Sequence, residues 1–503
     1  MDRILQLPLF LILALVGVLA MYIPAAHGFV RGDYDTARVF FYFATLLLFL
    51  CLIVGLASAN YDPRVSAGSH LLALLGGLVV LPVFLALPMS ELVRDTHFLN
   101  LYFEMVSSLT TTGASVFDAP ERLNPSLHLW KGLVAWLGGF LFWLSAIAIM
   151  EPLNLGGFEV FASMKTGKAA QGMARIRVAD ASERLVRYAR ELFPVYLTLT
   201  LLLWIGLLIL GEGSLMALIH AMSTISTSGI SPAGGPSGGS AGLGGEFLIF
   251  FFLFFAVSRA TFSNRLGPRT LTRLRDDREF QLALICLGVL PLALVLRHWL
   301  GALEVEEQES LGAVAHALWG GLFTVMSFMT TTGFASADWA AARDWSGLQT
   351  PGLILMGLAL MGGGVATTAG GIKLLRVHAL YKHGLREMEK LVYSSSVGGA
   401  GIHARRIRRE GAHIAWIFFM LFMMSVALVM IALSLTGVSF EESLTFSIAA
   451  LSTTGPLASV AAETPLSYGD LNAAGKLVMC AAMILGRMET LAIIALLNPD
   501  FWR

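Results

Sequence analysis

The sequence predicts an all-α polytopic membrane protein: four parallel repeats around one axis, with two extra helices in front. Three observations carry this. Of 503 residues, 56% are hydrophobic and 14% charged, where a soluble domain carries about 25% charged residues. Apolar runs recur along the chain at about 20 residues, the length that spans a bilayer as helix. One short Ser/Thr-Gly string is written four times: Thr110-Thr111-Thr112-Gly113, Ser226-Thr227-Ser228-Gly229, Thr330-Thr331-Thr332-Gly333 and Ser452-Thr453-Thr454-Gly455. The glycines lie 116, 104 and 122 residues apart.

The first apolar run, 4–23, is too long for a signal-peptide core and lacks a small-residue cleavage site. It is expected to stay as the first helix. A second follows over 38–58. Then a unit of long helix, short apolar stretch, string and long helix comes four times. Long helices are expected at 68–88 and 129–150, 192–211 and 246–263, 280–299 and 350–378, 411–436 and 474–497. The short stretches are 98–112, 214–227, 311–331 and 440–453. Their lengths suit re-entrant segments. The chain thus divides into 1–66, then 67–160, 161–265, 266–392 and 393–503. With two full spans per unit, all four units enter the membrane from one side. Parallel repeats can close a ring about an axis along the membrane normal.

Orientation follows from lysine and arginine. The links between units hold Lys165, Lys168, Arg175, Arg177, Arg184, Arg187 and Arg190; then Arg265, Arg269, Arg273, Arg275 and Arg278; then Lys382, Arg386, Lys390, Arg405, Arg406, Arg408 and Arg409. These links are expected in the cytoplasm. The opposite face of the later units is acidic, with Glu304, Glu306, Glu307, Glu309, Asp338, Glu441, Glu442, Glu463 and Asp470. A negative mouth concentrates cations.

Net charge is zero, and no basic domain suggests a nucleic-acid partner. Cys51, Cys286 and Cys480 each sit inside an apolar run and read as packing residues. No HExxH or phosphate loop is present, and "GGSAGLGGEF" (Gly238 to Phe247) lacks the strand–helix setting that a GxSxG nucleophile needs, so neither an enzyme nor a resident cofactor is expected. A secondary transporter of a small solute, coupled to Na⁺ or H⁺, would instead show inverted repeats and helices broken at the midplane.

Non-helical backbone at membrane depth is tolerated only where protein or a water-filled cavity satisfies it. An extended Ser/Thr-Gly string exposes consecutive carbonyl oxygens, and glycine lets the chain come close to an axis. Four strings around one axis make carbonyl rings that can replace the water shell of a large monovalent cation. For one string, hydroxyls bonding back to helix carbonyls would be the ordinary reading. Four strings at one place in a repeat favour the rings. The second string departs by using Ser226 and Ser228, and a glycine-rich loop follows it that is expected to be flexible and extracellular.

The pattern resembles the TrkH/KtrB superfamily of potassium transporters over essentially the whole chain. The resemblance implies four membrane–pore–membrane units around a central pore, with one filter glycine each and K⁺ as the substrate ion. The filter would comprise Thr111, Thr112, Gly113, Thr227, Ser228, Gly229, Thr331, Thr332, Gly333, Thr453, Thr454 and Gly455. The two extra N-terminal helices resemble the TrkH branch. Glycine in all four strings is the pattern associated with potassium; relatives with serine at the first favour sodium, and this chain has Gly113 there.

In the third unit "LMGGGVATTAGGIKLLR" (Leu360 to Arg376) puts five glycines, Gly362, Gly363, Gly364, Gly370 and Gly371, into an apolar run. Each weakens a helix by roughly 1 kcal/mol relative to alanine, so a break is expected; close helix packing is the alternative. The resemblance implies an intramembrane gating loop there, with Lys373 as its basic residue. Its small, apolar residues suit a plug without strong polar contacts. Arg487 and Glu489 lie inside the last span, where ionisable groups line a cavity or pair with each other. The resemblance implies that Arg487 projects into the pore. It further implies a homodimer in the bacterial inner membrane and a separate cytoplasmic TrkA-like partner that binds NAD(H) and adenine nucleotides. The basic segment 382–409 is a candidate for docking that partner, or for anchoring at the lipid surface.

Overall fold

The computed structural model describes residues 8–58, 67–151, 181–258, 275–301, 311–348, 350–392, 412–462 and 464–489. Among these there is no strand, and eight helical segments are long and apolar enough to cross a membrane. Two leading helices, α1 (Leu9–Ala20) and α2 (Tyr22–Arg31), make one nearly continuous span, and the chain turns at the left-handed Gly32 so that α3 (Tyr34–Ser58) packs back against both. Repeat 1 is α4 (Ala67–Leu92), the short α5 (Phe98–Leu109) and α6 (Pro125–Ser145). Repeat 2 is α7 (Ala181–Ile209), the short α8 (Ser214–Ser226) and α9 (Gly242–Leu253).

Repeat 3 is α10 (Arg278–Gly301), α11 (Leu311–Met329), the small α12 (Trp339–Ser346) and α13 (Gly352–Met361), followed after a loop by α14 (Leu374–Val392). Repeat 4 is α15 (Ala412–Ser434), the short α16 (Phe440–Leu451), α17 (Leu457–Ala461) and α18 (Ala473–Met488). The division points near 66, 160, 265 and 393 fall at residues outside the described ones, as do Lys165, Lys168, Arg175, Arg177, Arg265, Arg269, Arg273, Arg405, Arg406, Arg408, Arg409, Glu304, Glu306, Glu307, Glu309 and Glu463.

The break expected at the glycines of the run 350–378 is present: α13 stops at Met361, where Gly362 caps it at φ 69°, and α14 starts only at Leu374. The run expected as a long helix over 246–263 differs: its described residues give only α9 and a tight turn to Ala256. The stretch 311–331 gives a 19-residue helix against 12 or 13 residues in the other repeats. Its extra length is about two turns, added at its N-terminal end, so it still ends one residue before its string.

The helix starts follow local chemistry. Asn124 accepts from Leu127 N at 2.9 Å and is followed by Pro125; Asn472 accepts from Gly475 N at 2.8 Å. Ser439 and Glu442 form a capping box on α16. Among the acidic residues of that face, Glu442 therefore has a local task, and Asp338 meets His316 at 2.9 Å. In the loop before α6, a hydrogen bond from Arg122 holds the Asp95 carboxyl below the usual carboxylate range.

Packing between repeats is cyclic. In every repeat the short helix lies against both long helices of its own unit. It also packs on the second long helix of another unit: α8 on α6, α11 on α9, α16 on α13, and α5 on α18. The order 1, 2, 3, 4 thus returns to 1, as parallel repeats require. The leading helices sit outside this ring on repeat 1, where His27 Nδ1 meets Ser126 Oγ at 2.8 Å and Asn124 Nδ2 donates to Thr36 Oγ1 at 2.7 Å. The outer side of α3 leaves Phe41, Tyr42, Leu46, Phe49 and Leu56 exposed, as suits contact with lipid.

Close approach sets the ring's size. Gly138 on α6 and Gly486 on α18 lie so near the Leu109 and Leu451 carbonyls that a Cβ would overlap them. Small residues at such crossings let helix backbones touch. Gly486→Ala should therefore lower stability by about 1–3 kcal/mol through overpacking. Gly357→Ala on α13, where a Cβ meets nothing within 4 Å, should not. Thermal unfolding of the detergent-solubilised protein checks both.

Candidate functional site

Each short helix ends in the same way. The second string residue, Thr111, Thr227, Thr331 or Thr453, is left-handed, with φ 55°, 52°, 57° and 56°. The β-branched threonine resists this region, at about 1–2 kcal/mol per residue. The turn sends the third residue's N–H back to the helix: Thr112 to Ser107 O at 2.8 Å, Ser228 to Ser223 O at 2.9 Å, Thr332 to Ser327 O at 2.9 Å and Thr454 to Ala449 O at 2.8 Å. This is the bond of a Schellman cap, with threonine in the place glycine usually takes. The first and third hydroxyls of each string meet at 2.8, 3.1, 3.1 and 3.1 Å. All twelve Ser/Thr residues of the strings are buried.

The ordinary hydroxyl reading holds at the first position and at Thr227, whose Oγ1 donates to the Ser226 carbonyl at 2.7 Å. Thr110, Thr330 and Ser452 donate to the helix carbonyl four residues back. At the second position, the buried Oγ1 of Thr111 and of Thr453 has no hydrogen-bond partner among the described residues.

The strings meet one another in ring order. A Cβ on Gly113 would overlap the Ser228 carbonyl, one on Gly229 the Thr332 carbonyl, and one on Gly455 the Ala114 backbone. One on Gly333 would come 3.0 Å from Pro456 Cδ. Gly113, Gly229 and Gly333 have φ of 74°, 66° and 83°. Gly455 does not share this left-handed backbone: its N–H donates to Thr112 O at 2.6 Å and its carbonyl accepts from Tyr468 at 2.8 Å. Pro456 follows it, and a proline restricts the residue before it. The four strings therefore share their inner halves and differ at the fourth glycine.

The glycine-rich break lies directly against the strings. Gly370 N donates to Thr331 Oγ1 at 2.7 Å, and Thr368 Oγ1 donates to Ile225 O at 3.1 Å. Gly370 also abuts the Ser452 carbonyl so closely that a Cβ would overlap it. The loop thus meets the third and fourth strings and the end of α8, one residue before the second string. Behind, Gly364 N donates to Ala256 O at 3.1 Å and Val365 N to Glu279 Oε1 at 2.8 Å. Lys373, itself left-handed at φ 83°, donates to Ala369 O. The expectation of a plug without strong polar contacts is therefore not met. A chain segment this rich in free backbone groups must bond somewhere when buried.

Arg487 completes this layer. Its Nη1 donates to Thr368 O at 2.7 Å, and its guanidinium lies 4.4 Å from the centre of the Phe142 ring. Nε and Nη2 have no hydrogen-bond partner among the described residues, and the side chain lines a small cavity with Lys373, Thr367 and Gly371. The alternative pairing with Glu489 does not form. Glu489 instead meets Arg376 at 2.9 Å, and Arg376 lies 3.6 Å over the Phe418 ring. Sequence reading did not single out Arg376, because its partner stands 113 residues away.

Sequence reading also missed the buried Glu104–Lys131 pair, at 2.5 Å. Glu104 further accepts from Ser115 Oγ at 2.8 Å and Val116 N at 2.7 Å, just past Gly113. A charged residue inside an otherwise apolar short helix was the available signal. The glycine-rich loop after Gly229, expected to be flexible, is held by Glu212, which accepts from Ser240 N and Ala241 N at 3.3 and 2.9 Å.

The family profile named TrkH, described as a cation transport protein, matches residues 261–500. The Trk system potassium uptake protein TrkH of Halomonas elongata is 28% identical over 404 residues, covering 80% of this chain and 79% of its own length. The Trk system potassium uptake protein TrkG of Escherichia coli is 26% identical, with 93% of each chain covered. The fold matches a crystal structure of the potassium transporter TrkH from Vibrio parahaemolyticus with a TM-score of 0.81, over 100% of this chain and 99% of that one, at 23% identity.

Lys131→Met would leave the Glu104 carboxylate buried without its cation. Such a loss costs about 3–5 kcal/mol. Joining it with Glu104→Gln should recover a large part. The fraction of monodisperse protein after heating, measured for both variants, checks this.

Proposed function

We propose that the chain belongs to the TrkH cation transport family, whose profile matches residues 261–500, and that it takes up K⁺ across the bacterial inner membrane through a channel-like pore. The filter is formed by Thr111–Gly113, Thr227–Gly229, Thr331–Gly333 and Thr453–Gly455, with K⁺ as the substrate ion. One observation carries this reading: four strings with one backbone turn close a ring in repeat order. Their third N–H groups are taken up by helix carbonyls, which leaves string oxygens as the ligands for a cation that has shed water. The unpartnered hydroxyls of Thr111 and Thr453 support the same use. The cyclic packing of parallel repeats speaks against a solute carrier built from inverted halves.

The gate is the segment Gly362–Lys373 together with Arg487. The loop stops conduction because it occupies the space against two strings and the end of α8, and Arg487 adds a positive charge where a cation would leave. Opening requires the loop to exchange its bonds to Thr331, Ile225 and Arg487 for others, and a ligand supplies only as much shift as its differential affinity. The regulator is a cytoplasmic TrkA-like nucleotide-binding subunit. Its proposed contact is α14, which continues directly from the loop and exposes Tyr381, Met388, Leu391 and Val392. A pull on α14 acts on the loop through the chain itself. Two copies of the chain, each with its own pore, form the proposed homodimer.

Gly113→Ser should reduce discrimination between K⁺ and Na⁺, because a side chain against the Ser228 carbonyl changes ring size. Uptake of Rb⁺ and Na⁺ into proteoliposomes measures it, and a folded variant with the wild-type ratio would remove Gly113 from the filter. Arg487→Ala should raise Rb⁺ flux at equal protein, since both a charge barrier and a bond holding the loop are lost. The loss of one charged hydrogen bond, about 1.5–3 kcal/mol, corresponds to a change of roughly tenfold or more in the open population. Flux at the wild-type level would place the barrier elsewhere.

A further inference from the structure

Each string is held from behind, and the holding group differs from repeat to repeat. Nine residues before the string glycines stand Glu104, His220, Thr324 and Phe446. Glu104 accepts from Ser115 Oγ and Val116 N. His220 Nε2 meets Ser231 Oγ at 2.9 Å. Phe446 packs on Tyr468, ring centres 5.0 Å apart, and the Tyr468 hydroxyl donates to the Gly455 carbonyl. In repeat 3 the short Thr324 offers only one long contact, accepting from Ser336 N at 3.3 Å.

There the stronger holding group comes from the neighbouring repeat. Glu246 lies on α9 of repeat 2 and is 1% exposed. Its Oε2 accepts from Ser336 Oγ at 2.6 Å and from Trp319 Nε1 at 2.9 Å. Its Oε1 accepts from Ala337 N at 2.7 Å. Ser336 and Ala337 follow Gly333 by three and four residues, and Trp319 lies on α11. Among the described residues no lysine or arginine forms an ion pair with Glu246. Three converging donors therefore stabilise this buried carboxylate, and bonds to a charged acceptor are the strong kind.

We propose that Glu246 is a positioning residue for the third limb of the filter and, through that limb, a determinant of cation selectivity. The proposal rests on the reading of the four strings as the filter. A ring that prefers K⁺ must resist shrinking around the smaller Na⁺. A limb tied to the adjacent repeat resists that motion more than one tied only to its own helix. The tie also makes the third limb's position depend on repeat 2.

The test uses the purified full chain in proteoliposomes and reads the ratio of Rb⁺ to Na⁺ uptake at equal folded protein, which a role in folding alone would not move. Glu246→Gln keeps the shape but loses the charge and one well-placed acceptor; the ratio should fall on the order of fivefold. Ser336→Ala removes one donor and should shift the ratio less, in the same direction. Glu212→Gln weakens a carboxylate hold on Ser240 and Ala241, eleven and twelve residues past Gly229, and should leave the ratio as in wild type. Gly333→Ser reports on the filter itself and should lower the ratio.

If Gly333→Ser changes the ratio and Glu246→Gln does not, the proposal falls and the filter reading stands. Should Glu246→Gln yield no folded protein, an unchanged ratio in folded Ser336→Ala overturns the proposal in the same way. A shift in Glu212→Gln as large as in Glu246→Gln also overturns it, because loop packing in general would then explain the effect. If Gly333→Ser leaves the ratio unchanged, the filter reading fails and the proposal fails with it.

Discussion

A backbone N–H left without a partner at membrane depth costs several kcal/mol, and the centre of this molecule is shaped by that demand. The strings must leave helical geometry and still satisfy their donors. A left-handed threonine solves this by turning the third N–H back onto the helix end. The conformational strain at four threonines is offset by bonds that would otherwise be lost. Glycine, the usual residue for such a cap, is thereby freed for a second place two residues on. There the ring itself requires it, because a side chain would strike the neighbouring carbonyl.

The same demand governs the segment beneath. Its glycines end α13 and give the chain room against two strings and the end of α8, but a non-helical stretch carries its own donors and acceptors. They are met by the strings, by Ala256 and Glu279 behind, and by Arg487. The two buried arginines in this layer have different tasks. Arg376 is held by Glu489 and a phenylalanine face. Arg487 keeps two nitrogens without hydrogen-bond partners among the described residues and faces a cavity. Stability accounts for the first, while the second retains a charge that is costly unless it is used.

Much of this was legible in the chain. The repeats, the ends of the short helices and the break at Gly362 follow from apolar length and from glycine and threonine placement, which act locally. Pairings such as Arg376 with Glu489, or Glu246 with Ser336, were hidden because their partners stand 113 and 90 residues apart, and only the closed ring brings them together. Glu104 and His220 could have been found by extending the alignment of the strings nine residues upstream. The departure at Gly455 was also present as Pro456, a residue whose effect is on its predecessor.

The junction between the last repeat and the first has a consequence for how the chain is made. Gly455 bonds to Thr112, and Ser467 Oγ donates to Asp118 across 349 residues of sequence. These contacts join the two ends of a polypeptide that enters the membrane in order. During synthesis the first three units stand as an open arc whose inner polar backbone has no fourth wall. Closure waits for α18, and contacts of such long sequence separation are the slow ones to form. Quality control that recognises an unclosed arc would therefore detect truncated chains by their exposed first string.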